Sequence, residues 1–354
     1  MAAKDWGIGL VGLGGIARQH LEGYRRQGLR LAAATDVDAA TVAGLPQRWS
    51  AQWKQPWPWP EAQLTTTLDE LLAREDVRVV DVTVPHRLEW RRPVVEAIAR
   101  AGKPILIQKP LASYLHEARE LAAIARDAGV PMMVNQNSLF VPAFTAIEPY
   151  LRDPNYLGTP YYCEINNRHW SPPRANHWYE TSERWVTAGM AIHHLALVRH
   201  WFGDAGTVYC LQARDPSQRT AGDTLGAVSI RFKSGVQALI INNWCHRGSR
   251  AGDRSRPHPL EELVIQGDRG SISGDTAQLC VVSDALGEAK LFPKIDGAWF
   301  PDAFGHSMRH FIDALDNARP FLCEATDNVK TVAIMEAAYR SAASGDVVRV
   351  DQLT

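Results

Sequence analysis

The chain has 354 residues, a formal net charge of −1 from 38 Lys+Arg against 39 Asp+Glu, and 45% hydrophobic against 22% charged residues. That length is more than one ordinary core needs, so two domains are expected, and the composition excludes a disordered chain or a fibrous repeat. Balanced charge without basic runs argues against a nucleic-acid or anionic-membrane partner, and no apolar stretch approaches the ~18 residues of a membrane span.

Met1 to Gly7 lacks a basic segment leading into an apolar one, so no secretory signal is read there. Five scattered cysteines without a CxxC pair favour reduced thiols in a cytoplasm over a disulfide framework or a zinc site. From Trp6 to about Val134, short apolar runs alternate with amphipathic segments. Ile8–Val11, Leu31–Ala34, Val79–Val84, Pro104–Ile107 and Met132–Val134 read as buried strands, and Leu68–Leu72, Pro93–Ala101 and Leu115–Asp127 as helices. Continuous apolar strands alternating with helices predict a doubly wound parallel sheet covered on both faces, an α/β Rossmann domain over residues 1–135. Four of the twelve tryptophans fall at Trp49, Trp53, Trp57 and Trp59, marking an interface or packing back on their own domain.

The first strand runs into Gly12-Leu13-Gly14-Gly15-Ile16-Ala17, a GxGxxA turn opening a helix. Gly12 permits the tight turn, Gly14 lets backbone N–H groups approach a pyrophosphate, and Ala17 is small enough for the helix to pack on the strand. Asp36 ends the second strand about twenty residues on, where an acid accepts the hydroxyls of the adenosine ribose. A carboxylate there repels a 2′-phosphate, and Val37-Asp38 offers no arginine to receive one, so NAD(H) is favoured over NADP(H).

With these residues in place, the chain resembles the Gfo/Idh/MocA family of nicotinamide-dependent oxidoreductases. The likeness continues through Thr83-Val84-Pro85 and Ala101-Gly102-Lys103-Pro104 into Gln108-Lys109-Pro110-Leu111-Ala112, similar to the family's "aGkhvlvEKPla". Val134-Asn135-Gln136-Asn137 with Phe140 and Pro142, Met190-Ala191-Ile192-His193-His194 with Arg199 and Gly203, and Met335 to Gly345 resemble its later motifs in the family's order. The resemblance implies an α+β domain with a large, mainly antiparallel open sheet over residues 136–354. Its exposed face would form a homodimer or homotetramer interface. The β-rich runs Tyr161–Asn166, Thr207–Ala213, Ala227–Phe232, Val236–Asn242 and Glu262–Gln266 agree, with Ser234-Gly235 as a hairpin turn.

What the resemblance implies for chemistry is an NAD(H)-dependent dehydrogenase or reductase acting on a sugar, inositol or related polyol. Related enzymes use NAD transiently to eliminate a glycosidic bond, and a non-catalytic NAD-binding regulator is a third reading. Cofactor contacts are expected at Gly12, Gly14, Gly15, Ile16, Ala17, Asp36, Pro85, Gln108 and Lys109. Lys109 and His193 are the expected catalytic pair: an ammonium that hydrogen-bonds the reacting oxygen and an imidazole that shuttles its proton. His193 and His194 lie in a helix-like segment, Ala188 to Trp201, and point about 100° apart, so only one can face the substrate, and His194 is expected to pack or hydrogen-bond at a helix surface. Arg168, Trp170 and His177, with His193, are expected to contact the substrate, their amphipathic side chains suiting hydroxyls and C–H faces. No metal is implied. The chain departs from the family where Gln108 replaces its acid, and where Gly189 and Ala196 replace its aspartates near His193. The loss of these carboxylates is expected to lower the pKa of both Lys109 and His193.

Overall fold

A computed structural model describes residues 6–171, 179–249 and 260–353. It divides into two compact units, one running up to Phe140 and rejoined by Phe300–Val329, the other formed by Val141–Trp299 with the residues from Lys330 on.

In the first unit, strands β1 (Gly7–Val11), β2 (Leu31–Thr35), β3 (Gln63–Thr65), β4 (Val77–Val82), β5 (Ile105–Gln108) and β6 (Met132–Asn135) form one parallel sheet in the order β3-β2-β1-β4-β5-β6. β1, β2, β5 and β6 are buried along their whole length, which is why they read as unbroken apolar runs. The strand order reverses beside β1, and ligands of such sheets bind outside the carboxyl ends of the strands at that reversal. Helices α1 (Ala17–Arg26), α2 (Ala39–Ala43), α3 (Leu45–Trp53), α4 (Leu68–Leu72), α5 (Leu88–Arg100) and α6 (Leu115–Asp127) make the connections. Trp49, Trp57 and Trp59 pack edge to face on one another with centroids 5.3–6.5 Å apart, and Trp59 Nε1 donates to the Leu29 carbonyl at 3.1 Å. This cluster is core of its own unit.

A division of the chain at residue 135/136 misses the return of Phe300–Val329 to the first unit. The physical reason is a close helix crossing: after α7 (Pro142–Arg152) and α8 (Ile192–Phe202) in the other unit, α9 (Asp302–Asp316) packs on α1 with Gly305 against Gly23. A Cβ on either glycine would run into the other's backbone. Arg26 Nη1 and Asp302 Oδ1, 2.9 Å apart, hold the same crossing.

In the second unit, strands β7 (Pro160–Arg168), β8 (Ala205–Ala213), β9 (Leu225–Phe232), β10 (Gln237–Asn243), β11 (Leu260–Gly267), β12 (Gly270–Asp275), β13 (Leu279–Ser283) and β14 (Val348–Arg349) pair in the order β13-β12-β11-β7-β10-β9-β8-β14. Only β7 and β10 run parallel; every other neighbouring pair is antiparallel. Burial alternates along β8, β9 and β10, one face lying against helices and the other outward. The β9–β10 hairpin closes at Gly235, whose φ of +94° suits glycine. α10 (Ala325–Ser344) follows α9 and leads to β14. Among the described residues no helix is long and apolar enough to cross a membrane.

Candidate functional site

At the end of β1 the chain turns at Gly12, with φ +90°, and its N–H donates to the Thr35 carbonyl at 2.8 Å. A Cβ there would sit 3.0 Å from Val84 N, so glycine lets the β1 and β4 loops close on each other. Thr83 Oγ1 seals this approach by donating to the carbonyl oxygens of Gly12 and Val11. Beyond it, Gly14 and Gly15 are exposed, with nothing within 4 Å of where a Cβ would lie. Ala17 is fully buried, no side chain caps α1, and no acid sits in its first turn. An open, uncapped helix N-terminus at a strand end fits a dinucleotide pyrophosphate. Asp36 is fixed beside this turn: Oδ2 accepts from Leu13 N at 2.7 Å and Oδ1 from Asp38 N at 3.0 Å. Val37, next to it, is 95% exposed. The residues therefore fit NAD.

The ends of β4 and β5 are tied together by Arg91 of α5, which is only 1% exposed. Its Nε and Nη2 donate to the Val84 carbonyl at 3.2 and 3.1 Å, and Nη1 to the carbonyls of Pro110 and Leu111. Lys109 and Pro85 thus sit on two loops pinned by one buried guanidinium. Burial first, then that guanidinium, pulls the Lys109 ammonium down to about 7. Burial, then Arg91, Lys109 and Arg87 in that order, holds His86 at about 3. Burial also brings Arg91 itself down to about 9.

Gln108 is committed inside the unit. Its Oε1 accepts from Lys109 N at 2.7 Å, which fixes the amide so that Nε2 faces His20 Nε2 at 3.0 Å. His20 Nδ1 lies 2.7 Å from Asp81 Oδ2, and Tyr24 OH also donates to that oxygen. With an amide donating on one side and a carboxylate accepting on the other, the ring carries its proton on Nδ1. Gln108 therefore belongs to a buried relay, Asp81–His20–Gln108–Lys109 N, that holds the start of the lysine loop. A carboxylate at 108 would meet the His20 Nε2 lone pair and draw a second proton onto the ring. Gln108→Glu is accordingly expected to protonate His20 on both nitrogens and to raise the Lys109 titration by less than about one pH unit. Nitrogen NMR of the ring and a pH titration check this. A larger rise with His20 unchanged contradicts the relay.

In the second unit, the expected helix from Ala188 is instead a π-turn, Thr187–Ala191, followed by α8. His193 is 2% exposed and meets Trp299 edge to face at 5.3 Å. His194 is 0% exposed. Its Nε2 lies 3.0 Å from Glu261 Oε2, and Glu261 Oε1 accepts from Asn167 Nδ2 at 2.7 Å. A buried carboxylate needs such partners, so His194 is committed to the fold. Strand alternation along β7 sends Arg168 to the face opposite Asn167, where it pairs with Glu262. Trp170 lies under the Arg247 guanidinium at 4.9 Å, and His177 lies outside the described residues. Gly189 falls in the π-turn and Ala196 is buried in α8. The partners that sequence reading missed are His20, Asp81, Arg91 and Glu261. Of these, only Asp81 leaves a local signal, an acid inside an apolar strand. Among the described residues, no group of three or more His, Cys, Asp and Glu side chains is arranged to hold a metal ion.

Residues 6–136 match a family described as an oxidoreductase family with an NAD-binding Rossmann fold, and residues 153–350 match the C-terminal alpha/beta domain of the same oxidoreductase family. The chain is 29% identical to D-apiose dehydrogenase of Paraburkholderia graminis over 97% of its own length and 89% of that protein. It is 22% identical to inositol 2-dehydrogenase of Rhizobium meliloti, over 95% of this chain and 96% of the relative. The crystal structure of an oxidoreductase from Agrobacterium radiobacter in complex with NAD+, L-tartaric acid and magnesium shares the fold with a TM-score of 0.83. It is 20% identical and covers 99% of this chain and 100% of that one.

Proposed function

This chain belongs to the Gfo/Idh/MocA family of oxidoreductases, and from that premise we propose that it interconverts a secondary alcohol and a ketone on a sugar, an inositol or a related polyol, using NAD(H). The observation that carries the reading is Lys109: a lysine at the end of β5, on a loop pinned by Arg91, with its ammonium brought to about 7. A base of that strength takes the proton of a reacting hydroxyl near neutral pH. NAD, when bound, supplies the hydride acceptor. His193, whose imidazole suits proton exchange, is proposed as the second group on the substrate. Gly12, Gly14, Gly15, Ile16 and Ala17 take the pyrophosphate, Asp36 the ribose, and Pro85 flanks the cofactor. Gln108 serves by fixing the main chain of Lys109. The dehydrogenase names of the apiose and inositol relatives support a polyol substrate, for which Arg168, Trp170 and His177 remain the proposed contacts. A cytoplasmic setting is part of the same proposal, on five scattered cysteines without a CxxC pair. Tyr209 and Leu211, the latter 59% exposed on the outward face of β8, are the surface we propose for pairing between copies.

Turnover of a polyol panel with each nicotinamide cofactor tests the assignment. NAD should bind several-fold tighter than NADP, because the Asp36 carboxylate accepts the ribose diol and repels an added phosphate. Asp36→Ala should erase most of that preference while leaving the fold intact. Preference for NADP, or unchanged NAD affinity in the variant, contradicts the role of Asp36.

A further inference from the structure

The turn before His193 is held by groups from outside its own helix. Asp223, buried in the loop before β9, accepts from Trp185 N at 3.0 Å and from Tyr339 OH at 2.8 Å on Oδ1. Its Oδ2 accepts from Thr187 N at 2.7 Å and Thr187 Oγ1 at 2.6 Å. Tyr339, on α10, accepts in turn from Ala188 N at 3.1 Å. One carboxylate and one phenol thus satisfy three backbone N–H groups at the start of the helical segment, the role of an N-cap supplied from distant chain. The phenol stays a donor at all ordinary pH, because burial, then Asp223, pushes it well above its usual value. Its ring is fixed under the Arg184 guanidinium at 4.4 Å, and Arg184 pairs with Glu336 at 2.7 Å. Gln212 Nε2 donates to Thr187 Oγ1 at 2.9 Å, and Gly226 leaves room for that hydroxyl, since a Cβ there would lie 2.5 Å from it.

This clasp acts on a π-turn, which carries one residue more per turn than an α-helix. Successive α-helical residues differ in bearing by about 100°. If the π-turn relaxed to α-helical register with its start held in place, every later residue would move round by about one position. His193 would then take the bearing that His194 has now, and His194 would turn on by the same angle, taking His194 away from Glu261 and His193 away from Trp299. We propose that Asp223 and Tyr339 are positioning residues that set the register of this π-turn and thereby present His193, rather than the preceding Ile192, to the substrate. The proposal rests on the reading of His193 as a group acting on substrate.

A double-mutant cycle tests it. Asp223→Asn and Tyr339→Phe are made in the wild-type protein and in His193→Ala, and kcat, KM for NAD and melting temperature are read for each. His193→Ala alone should lower kcat roughly 10²-fold. Asp223→Asn should lower kcat about 10-fold or more with KM for NAD unchanged, yet add little on the His193→Ala background. Tyr339→Phe keeps the ring under Arg184 and removes only the hydroxyl, so it carries the same cycle if Asp223→Asn fails to fold. Equal fold losses in both backgrounds, or a lower melting temperature with kcat unchanged, make the clasp merely structural and overturn the proposal while leaving His193 in place. A fully active His193→Ala overturns the reading of His193 and the proposal with it.

Discussion

Lys109→Ala is expected to lower kcat by about 10³-fold while moving KM for NAD by less than about threefold, since the amine acts on the substrate oxygen and not on the pyrophosphate. The sign of the pH dependence follows from the same residue. Alcohol oxidation needs the neutral amine, so kcat/KM should rise as pH passes about 7, where burial and Arg91 set the lysine. In the reverse direction the ammonium is the proton donor, and the rate should fall over the same range. Lys109→Arg keeps the positive charge but cannot lose its proton near neutral pH, so it should stay inactive in oxidation. Steady-state kinetics across pH for both variants check this. Full activity in Lys109→Ala removes the lysine from the mechanism.

Arg91→Met is expected to cost more in stability than any other single change considered. The variant leaves the carbonyls of Val84, Pro110 and Leu111 buried without the donors they have now. Stranding three such groups costs roughly 3–5 kcal/mol. That corresponds to a fall in melting temperature on the order of 10 °C. Calorimetry on the protein should show it. In whatever fraction remains folded, loss of the neighbouring cation should carry the Lys109 titration above about 7, because the guanidinium now opposes a second positive charge. Arg91→Lys keeps a charge but not the fork, and should recover the pH profile better than the stability. A variant as stable as wild type, with the profile unmoved, contradicts the pinning of the two loops.

The parts of this protein that are legible in sequence are those with a local cause. Apolar runs announce β1, β2, β4, β5 and β6, interrupted in β4 by Arg78 and Asp81, because a parallel strand covered on both faces has no polar side. The pattern Leu115–Asp127 is bounded as the helix is, with Glu117 closing a capping box on Tyr114. The Gly12–Ala17 turn and Asp36 carry their chemistry in spacing alone. β3 escapes because it has three residues and only Thr65 buried. α9 looks like any amphipathic helix, and nothing local says that Gly305 meets Gly23 almost the whole length of the chain away. The candidate site was legible in Lys109 and illegible in what holds it. Gln108 looks like a lost acid until His20 and Asp81 are seen beyond it. Arg91 looks like a surface arginine in a helix rich in them until its donors are found on three carbonyls. The π-turn is hidden because the groups bonded to its start, Asp223 and Tyr339, lie far along the chain, where no periodicity around His193 reveals them.

The most direct test of the account is the stoichiometry of a polyol reaction with NAD in wild-type protein and in Lys109→Ala. The purified protein is incubated with NAD and a panel of sugars, inositols and glycosides, and NADH, ketone and any released aglycone are all measured. The account predicts that at least one polyol yields NADH and ketone in equal amounts, with no aglycone, and that this reaction is lost in Lys109→Ala while NAD still binds. Aglycone released without net NADH, or NAD binding without turnover on any polyol, contradicts it.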